Sequence, residues 1–289
     1  MLCPKKETLM IQIITDSSSL YSPEKAKARG FYSLPLYVCA DSECYRDFEE
    51  IDAASFSEMI RDAKKLGTSQ PSIGEKLDLY NKLLENKEDI ILDICISDKL
   101  SGTYQAALSA KENCDDPQRV TVFNSETLCG PQKAMVEKAL EMRGEGKSLE
   151  EILDVLNDGI KQEASSLCVL DMNNLVRSGR LNKTAGAAGK LLKIMPVAIK
   201  DADGKLSIYG MARTWKKAFE IQNKFLSSKG MDDTWTLYIT HGNNPDAASK
   251  AKAYFQQLYP GLKIEVQPLN AMFMVHGGEG CVALQAIKI

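Results

Sequence analysis

The sequence is short of histidine: it has two, His241 and His276, far apart in the chain. Its eight cysteines, at positions 3, 39, 44, 95, 114, 129, 168 and 281, contain no Cys-x-x-Cys pair. Structural zinc sites draw on closely spaced Cys and His ligands, so no metal is expected. Cys95 and Cys168 lie inside apolar runs, where a thiol acts as a small core residue. Positive charge is not in excess: 36 Lys and Arg face 39 Asp and Glu, a formal net charge of −3. Binding to a phosphate backbone calls for a basic surface, which argues against a nucleic-acid partner. No apolar run approaches the ~20 residues of a membrane span. The opening Met-Leu-Cys-Pro-Lys-Lys-Glu-Thr lacks the charged-then-apolar layout of a signal peptide. The expectation is a cytoplasmic protein with no stable membrane insertion.

Familiar catalytic motifs are missing as well. No Gly-x-Gly-x-x-Gly follows a strand pattern, so a dinucleotide site has no support. Ala185-Gly-Ala-Ala-Gly-Lys190 resembles a phosphate loop only faintly. Thr184 stands where the first glycine belongs and Leu191 where Ser or Thr is needed. The segment reads instead as a close-packed helix over 184–192. There is no Gly-x-Ser-x-Gly elbow.

What is present is a set of hydroxyl-rich turns at helix starts. The apolar run Ile90–Ile96 stops at Ser97, and a helix-compatible segment begins at Thr103, with Ser101 and Gly102 between. A strand, a short Ser/Gly turn and a helix N-terminus can trap an oxyanion, because the first helical N–H groups have no internal partner. Ser101 or Thr103 could equally cap the helix and do nothing more. A second such turn, Thr68-Ser-Gln-Pro-Ser72, follows a helix that Gly67 would close, and Ser72 and Glu75 have capping-box spacing. The Thr68–Ser72 turn carries no Lys or Arg and the Ser97–Thr103 turn has Lys99 beside Asp98, a modest charge that suits a carboxylate better than a polyphosphate.

The 289 residues, 44% hydrophobic and 26% charged, suffice for two cores. Strands are expected at 11–15, 32–38, 89–96, 119–123 and 167–170, and helices after Ser22, around Phe56–Ala63, and over 131–143 and 149–161. Alternation of this kind predicts a mainly parallel sheet covered on both faces, with ligands beyond the carboxyl ends of its strands. Those ends carry Asp16-Ser17, Ser97-Asp98 and Asn124-Ser125. The second half differs. Asp201-Ala-Asp-Gly204 between two apolar runs predicts a hairpin, followed by alternating helices and strands. The reading is α/β: residues 1–165 form a three-layer α/β/α unit, and residues 166–289 a smaller α/β unit with a mixed sheet.

Thr68-Ser-Gln-Pro-Ser72, Ile96-Ser97 and Leu100-Ser-Gly-Thr-Tyr104 resemble the signatures of the DegV family of bacterial fatty-acid-binding proteins. Asp16-Ser-Ser18, Ser178-Gly-Arg-Leu181 and His276-Gly-Gly-Glu-Gly280 follow in the family's order, so the resemblance spans about Ile11 to Ile289. It implies a carrier that holds one long-chain fatty acid in an apolar tunnel of the first domain and needs no cofactor. A separate ATP-dependent fatty acid kinase would phosphorylate the presented carboxyl group for phospholipid synthesis. The resemblance implies carboxylate contacts from Thr68, Ser101 and the Gly102 backbone, with Ser97 nearby and His276 closing the site. Arg180 and Arg213 would lie at the entrance or face the kinase. Two positions depart from the pattern: Glu279 replaces a proline, and Asn124 stands where aspartate is common. Two other readings remain open, a serine-dependent acyl transferase or hydrolase using Ser101 and His276, and a binder of a different small carboxylate.

Overall fold

The computed structural model describes residues 10–181 and 194–289. The helix expected over 184–192 therefore lies outside the described residues. In chain order the first half contains β1 (Ile11–Asp16), α1 (Pro23–Ala28), β2 (Tyr32–Leu34), β3 (Tyr37–Ala40), β4 (Glu43–Arg46), α2 (Phe56–Met59), β5 (Leu66–Ser69) and α3 (Ile73–Leu84). It continues with β6 (Ile90–Cys95), α4 (Thr103–Asn113), β7 (Val120–Asn124), α5 (Cys129–Gly144) and α6 (Leu149–Lys161). The second half holds β8 (Glu163–Cys168), α7 (Asn173–Arg177), β9 (Met195–Lys200), β10 (Leu206–Ala212), α8 (Trp215–Ser228) and β11 (Thr236–His241). It ends with α9 (Pro245–Leu258), β12 (Lys263–Pro268), α10 (Ala271–Gly277) and β13 (Val282–Ile287).

Local chemistry sets several boundaries. Ser72 and Glu75 form a reciprocal capping box at α3, and Ser148 and Glu151 do the same at α6. Ser22 caps α1 with Pro23 in its first turn, and Gly30, at φ 75°, takes the left-handed conformation that ends it. The first sheet runs β2-β1-β6-β7, all parallel. Its strand order reverses between β1 and β6, so the crevice beyond their carboxyl ends is where such a sheet binds ligands. Asp16 at the end of β1 spans that point by accepting a bond from Ile96 N at 2.9 Å. The second sheet is mixed, with order β10-β9-β8-β13-β11-β12; only β11 and β12 pair in parallel. The Asp201–Gly204 turn joins β9 to β10 as the sequence predicts. Helix α5 packs against β1 and β6 of the first sheet and β11 and β13 of the second, forming a shared layer. Gly130 permits that approach, since a Cβ there would fall 2.2 Å from the Tyr238 side chain.

Three local expectations change. The run 32–38 is two strands in two sheets, because Pro35 has no N–H to continue a ladder. Thr68 belongs to a strand and not to a turn after a helix. The helix before it is one short turn, Phe56–Met59, and β5 pairs with β3, placing Val38 opposite Thr68. The strand expected at 167–170 begins at Glu163 and pairs with β13 and β9, in the second sheet. In the small β4-β3-β5 sheet, Cys39 and Cys44 face each other across the hairpin and form a disulfide, which their spacing alone did not suggest.

Under the first sheet, Lys76 of α3 and Asp93 of β6 are fully buried and pair at 2.5 Å. Burial opposes the lysine charge, but the Asp93 carboxylate outweighs that and holds its pKa above the usual range. Tyr80 also donates to Asp93. The pair fastens α3, and with it the Thr68–Ser72 segment, to the sheet. Lys76→Met should cost roughly 3–5 kcal/mol, since it leaves a buried carboxylate unpaired, whereas Lys76→Met with Asp93→Leu should recover much of that loss. Urea unfolding measures both; a single-variant cost below about 1 kcal/mol, the range of exposed ion pairs, would contradict the pinning role.

Candidate functional site

An apolar cavity, open to solvent at its mouth, lies where the two sheets meet. Its apolar walls come from both halves: Leu36, Ile96, Leu100, Leu128 and Cys129 from the first, and Leu167, Leu175, Leu206, Leu269, Met272, Phe273 and Ala283 from the second. Thr68, Ser101, Arg180 and His276 also line it. The fold thus brings together four of the residues singled out in the sequence. Ser97, Gly102 and Arg213 do not line it. Ser97 is buried in the turn after β6, where its carbonyl accepts from the N–H groups of Leu100 and Ser101. Gly102 is the N-cap position of α4, and Arg213 is exposed beside Thr214, which caps α8.

Helix α10 carries His276 to Thr68, whose Oγ1 lies 3.1 Å from the ring Nε2. The other ring nitrogen, Nδ1, is buried and without a partner among the described residues. Burial pulls the imidazole pKa down to about 3, helped by the nearby Arg180 charge, so the ring is neutral at ordinary pH. Two tautomers are then possible, and each leaves a donor uncommitted. With the proton on Nδ1, that N–H is free; with it on Nε2, Thr68 accepts and its own O–H is free. An oxyanion beside the pair would satisfy either arrangement.

Ser101 Oγ lies 2.9 Å from Thr103 Oγ1 and accepts from Thr103 N at 3.3 Å, so it organises the start of α4 while facing the cavity. No hydrogen bond joins Ser101 to His276, whose Nε2 is engaged with Thr68 instead. Arg180 donates from Nε to the Leu100 carbonyl at 3.3 Å and from a terminal nitrogen to Ser178 O at 2.5 Å. Those bonds fix a permanent cation inside the cavity wall. Arg180 is half-buried and lines the cavity beside the Leu100 carbonyl. Arginine in a Ser-Gly-Arg-Leu motif gives no sequence signal for that inward placement.

The two departures from the family pattern both find partners. Asn124 Nδ2 donates to Asp98 Oδ1 at 3.0 Å, and its Oδ1 accepts from the N–H groups of Asp98 and Glu126. An aspartate there would set two carboxylates side by side. Glu279 is exposed, accepts from Asn243 Nδ2 at 3.3 Å, and lines a separate cleft with Arg61. It therefore does not oppose an anion held at Thr68 and His276. Among the described residues no cluster of three or more His, Cys, Asp or Glu is placed to hold a metal ion, and no helix is long and apolar enough to cross a membrane.

Comparisons with known proteins agree with this architecture. A family model described as "Uncharacterised protein, DegV family" matches residues 10–288. A DegV domain-containing protein of Listeria innocua is 32% identical over 280 residues, covering 95% of this chain and 97% of the relative. A solved structure of a DegV family protein from Thermus thermophilus, described by its fatty acid binding, superposes with a TM-score of 0.86 at 30% identity, covering 97% of this chain and all of that one. The Streptococcus pneumoniae Fatty Acid Kinase (Fak) B3 protein, loaded with linoleic acid, gives a TM-score of 0.84 at 23% identity over 97% of this chain, a likeness of fold alone.

The neutral His276 has a consequence for stability. An unfolded histidine takes up a proton near pH 6.5, whereas the folded ring resists until about pH 3. Acidification between those values protonates the unfolded chain first, so stability should fall as pH drops, by at most about 1.4 kcal/mol per pH unit from this group. His276→Asn should show a shallower slope in urea midpoints across that window. Equal slopes in the two proteins would mean that His276 is not held neutral.

Proposed function

This chain belongs to the DegV family, and on that premise we propose that it binds one long-chain fatty acid and presents its carboxylate to a separate ATP-dependent kinase. The observation that carries the proposal is a single cavity with apolar walls and with Thr68, Ser101, Arg180 and His276 grouped on its lining. We assign the carboxylate to that polar group, with Gly102 and Ser97 supporting the turn that presents Ser101. The acyl chain then occupies the junction between the sheets and not the layers of the first sheet alone. Chain residues up to 162 supply the Thr68 and Ser101 side of the site, and residues from Glu163 supply Arg180 and His276.

Energetics divide the labour. Burying each methylene contributes roughly 0.8 kcal/mol, so a long tail contributes on the order of 10 kcal/mol before the costs of association. A hydrogen bond to a charged group contributes about 1.5–3 kcal/mol. The tail sets affinity; the polar group sets orientation. The kinase partnership is supported by the family resemblance of the Thr68–Ser72, Leu100–Tyr104 and His276–Gly280 motifs. The acyl transferase or hydrolase alternative is less well supported, because Ser101 hydrogen-bonds Thr103 and a histidine with a pKa near 3 is a poor base.

Thr68→Ala or Ser101→Ala should weaken fatty acid binding about 10- to 150-fold without abolishing it. Kinase-dependent acyl phosphate formation should fall further, since a misplaced carboxylate loses reaction geometry. Titration of the acid against its matching alcohol, with kinase assays at saturating acid, reads both. Unchanged acid-over-alcohol preference and unchanged phosphorylation in both variants would place the carboxylate elsewhere.

The arginines should separate. Arg180→Glu should weaken acid binding itself, by removing the cavity cation. Arg213→Glu should leave binding intact and slow phosphorylation most at low salt, because exposed charges act mainly on association rate. A wild-type phosphorylation rate for Arg213→Glu at low ionic strength would remove Arg213 from the kinase interface.

A further inference from the structure

The cavity floor is the face of the second sheet, and its polarity changes along the strands. Strands β8 and β13 pair with Leu167 opposite Ala283 and Ser165 opposite Gln285, and all four residues line the cavity. Leu167 lies close under α10: a Cβ on Gly277, the residue after His276, would come within 3.9 Å of its Cδ1. Two residues on, about 7 Å along the strands by ordinary strand rise, the floor becomes Ser165 and Gln285. They are 4% and 2% exposed. Besides the group formed by Thr68, Ser101, Arg180 and His276, the cavity thus carries a buried polar pair two residues along the strands from the Leu167 that lies under Gly277.

The hydrogen bonds of that pair are almost all committed, and the exception has a defined sense. Gln285 Nε2 donates to the Leu128 carbonyl at 3.2 Å and to Ser165 Oγ at 3.1 Å. A backbone carbonyl only accepts, so the amide must turn its NH2 group there and its oxygen away. Ser165 spends its proton on Glu163, whose carboxylate is paired with Lys200. What is left is Gln285 Oε1, buried and without a partner among the described residues. A buried acceptor facing no donor is costly, and a ligand that supplies one recovers that cost.

We propose that Ser165 and Gln285 form a polar subsite for the acyl chain, and that the preferred ligand is a fatty acid carrying a hydroxyl group along its tail. This rests on the fatty-acid reading above and narrows its substrate class. Ser165 and Gln285 leave no uncommitted side-chain donor between them, so the pair distinguishes a hydroxyl from a keto oxygen at the same carbon. The hydroxyl donates to Gln285 Oε1, while the keto oxygen meets only an acceptor.

The test uses the delipidated full chain. Octadecanoic acid, a series of monohydroxy octadecanoic acids with the hydroxyl at different carbons, and the matching keto acids are titrated by calorimetry. At least one hydroxy acid should bind about twofold to tenfold more tightly than the unsubstituted acid, the range of one net hydrogen bond. Its keto counterpart should lose that gain, and in Gln285→Met the ratio of hydroxy to unsubstituted affinity should fall to one or below. The hydroxy–keto comparison needs no variant, so it decides even if Gln285→Met does not fold. If octadecanoic acid binds and no hydroxy acid exceeds it, or keto and hydroxy acids bind equally, the subsite proposal is overturned and the fatty-acid reading stands. If no acid in the series binds, that reading fails and the subsite falls with it.

Discussion

The hydrogen bond between Thr68 and His276 joins residues 208 positions apart and depends on both halves of the chain being in place. Each partner is held from behind. Thr68 sits on β5 opposite Val38, just ahead of the α3 capping box, and α3 is pinned to β6 by the buried Lys76–Asp93 pair. His276 sits on α10, whose start is gripped by Asp47. That carboxylate accepts from Asn270 Nδ2 at 2.5 Å and from Met272 N at 3.4 Å, while Asn270 also donates to Ser17 O. Burial pushes the Asp47 pKa up to about 7, against the pull of these bonds. The cavity exists because these two anchorages meet, and its polar residues are those that lie where they meet.

Charge is distributed in the site with some economy. The histidine is kept neutral, so it offers a hydrogen bond without a proton that pH could remove. The standing positive charge comes from Arg180, which stays protonated even though burial lowers its pKa. Carboxylates nearby are directed away or paired: Glu279 toward Asn243, Asp98 toward Asn124 and Lys99. On the proposed reading, an incoming carboxylate would meet donors and a cation, with these carboxylates engaged elsewhere. On the proposed reading, the apolar bulk of the walls would contribute most of the affinity and say little about which end of a ligand lies where.

Much of this was legible in the sequence where local chemistry decides the structure. The Ser72–Glu75 and Ser148–Glu151 capping boxes, the Ser22-Pro23 helix start and the Asp201–Gly204 hairpin stand where their residue types require. Features that depend on distant pairing were not. Nothing local says that Leu66–Ser69 adds to β3, or that Cys39 and Cys44 fall opposite each other in β3 and β4. Glu163, Ser165 and Ser166 hid the start of β8, because polar residues in a strand look like a turn until their partners are seen. Lys76 reads as a solvated helix charge and is instead completely buried. Arg180 could be recognised by its motif, but its inward direction follows from the Leu100 and Ser178 carbonyls that it meets. Ser165 and Gln285 carry no motif; only the accounting of buried donors and acceptors brings them out.

The central claim is that a fatty acid lies in the junction cavity with its carboxylate at Thr68, Ser101, Arg180 and His276. The most direct measurement is nuclear magnetic resonance of the protein saturated with a long-chain acid isotopically labelled at its carboxyl carbon. The account predicts one bound species, with the labelled carbon close to the His276 ring and the Thr68 side chain, and the far end of the chain in contact with the apolar walls. A labelled carbon found instead beside Leu128 and Gln285, or free in solution while the tail is bound, would contradict it.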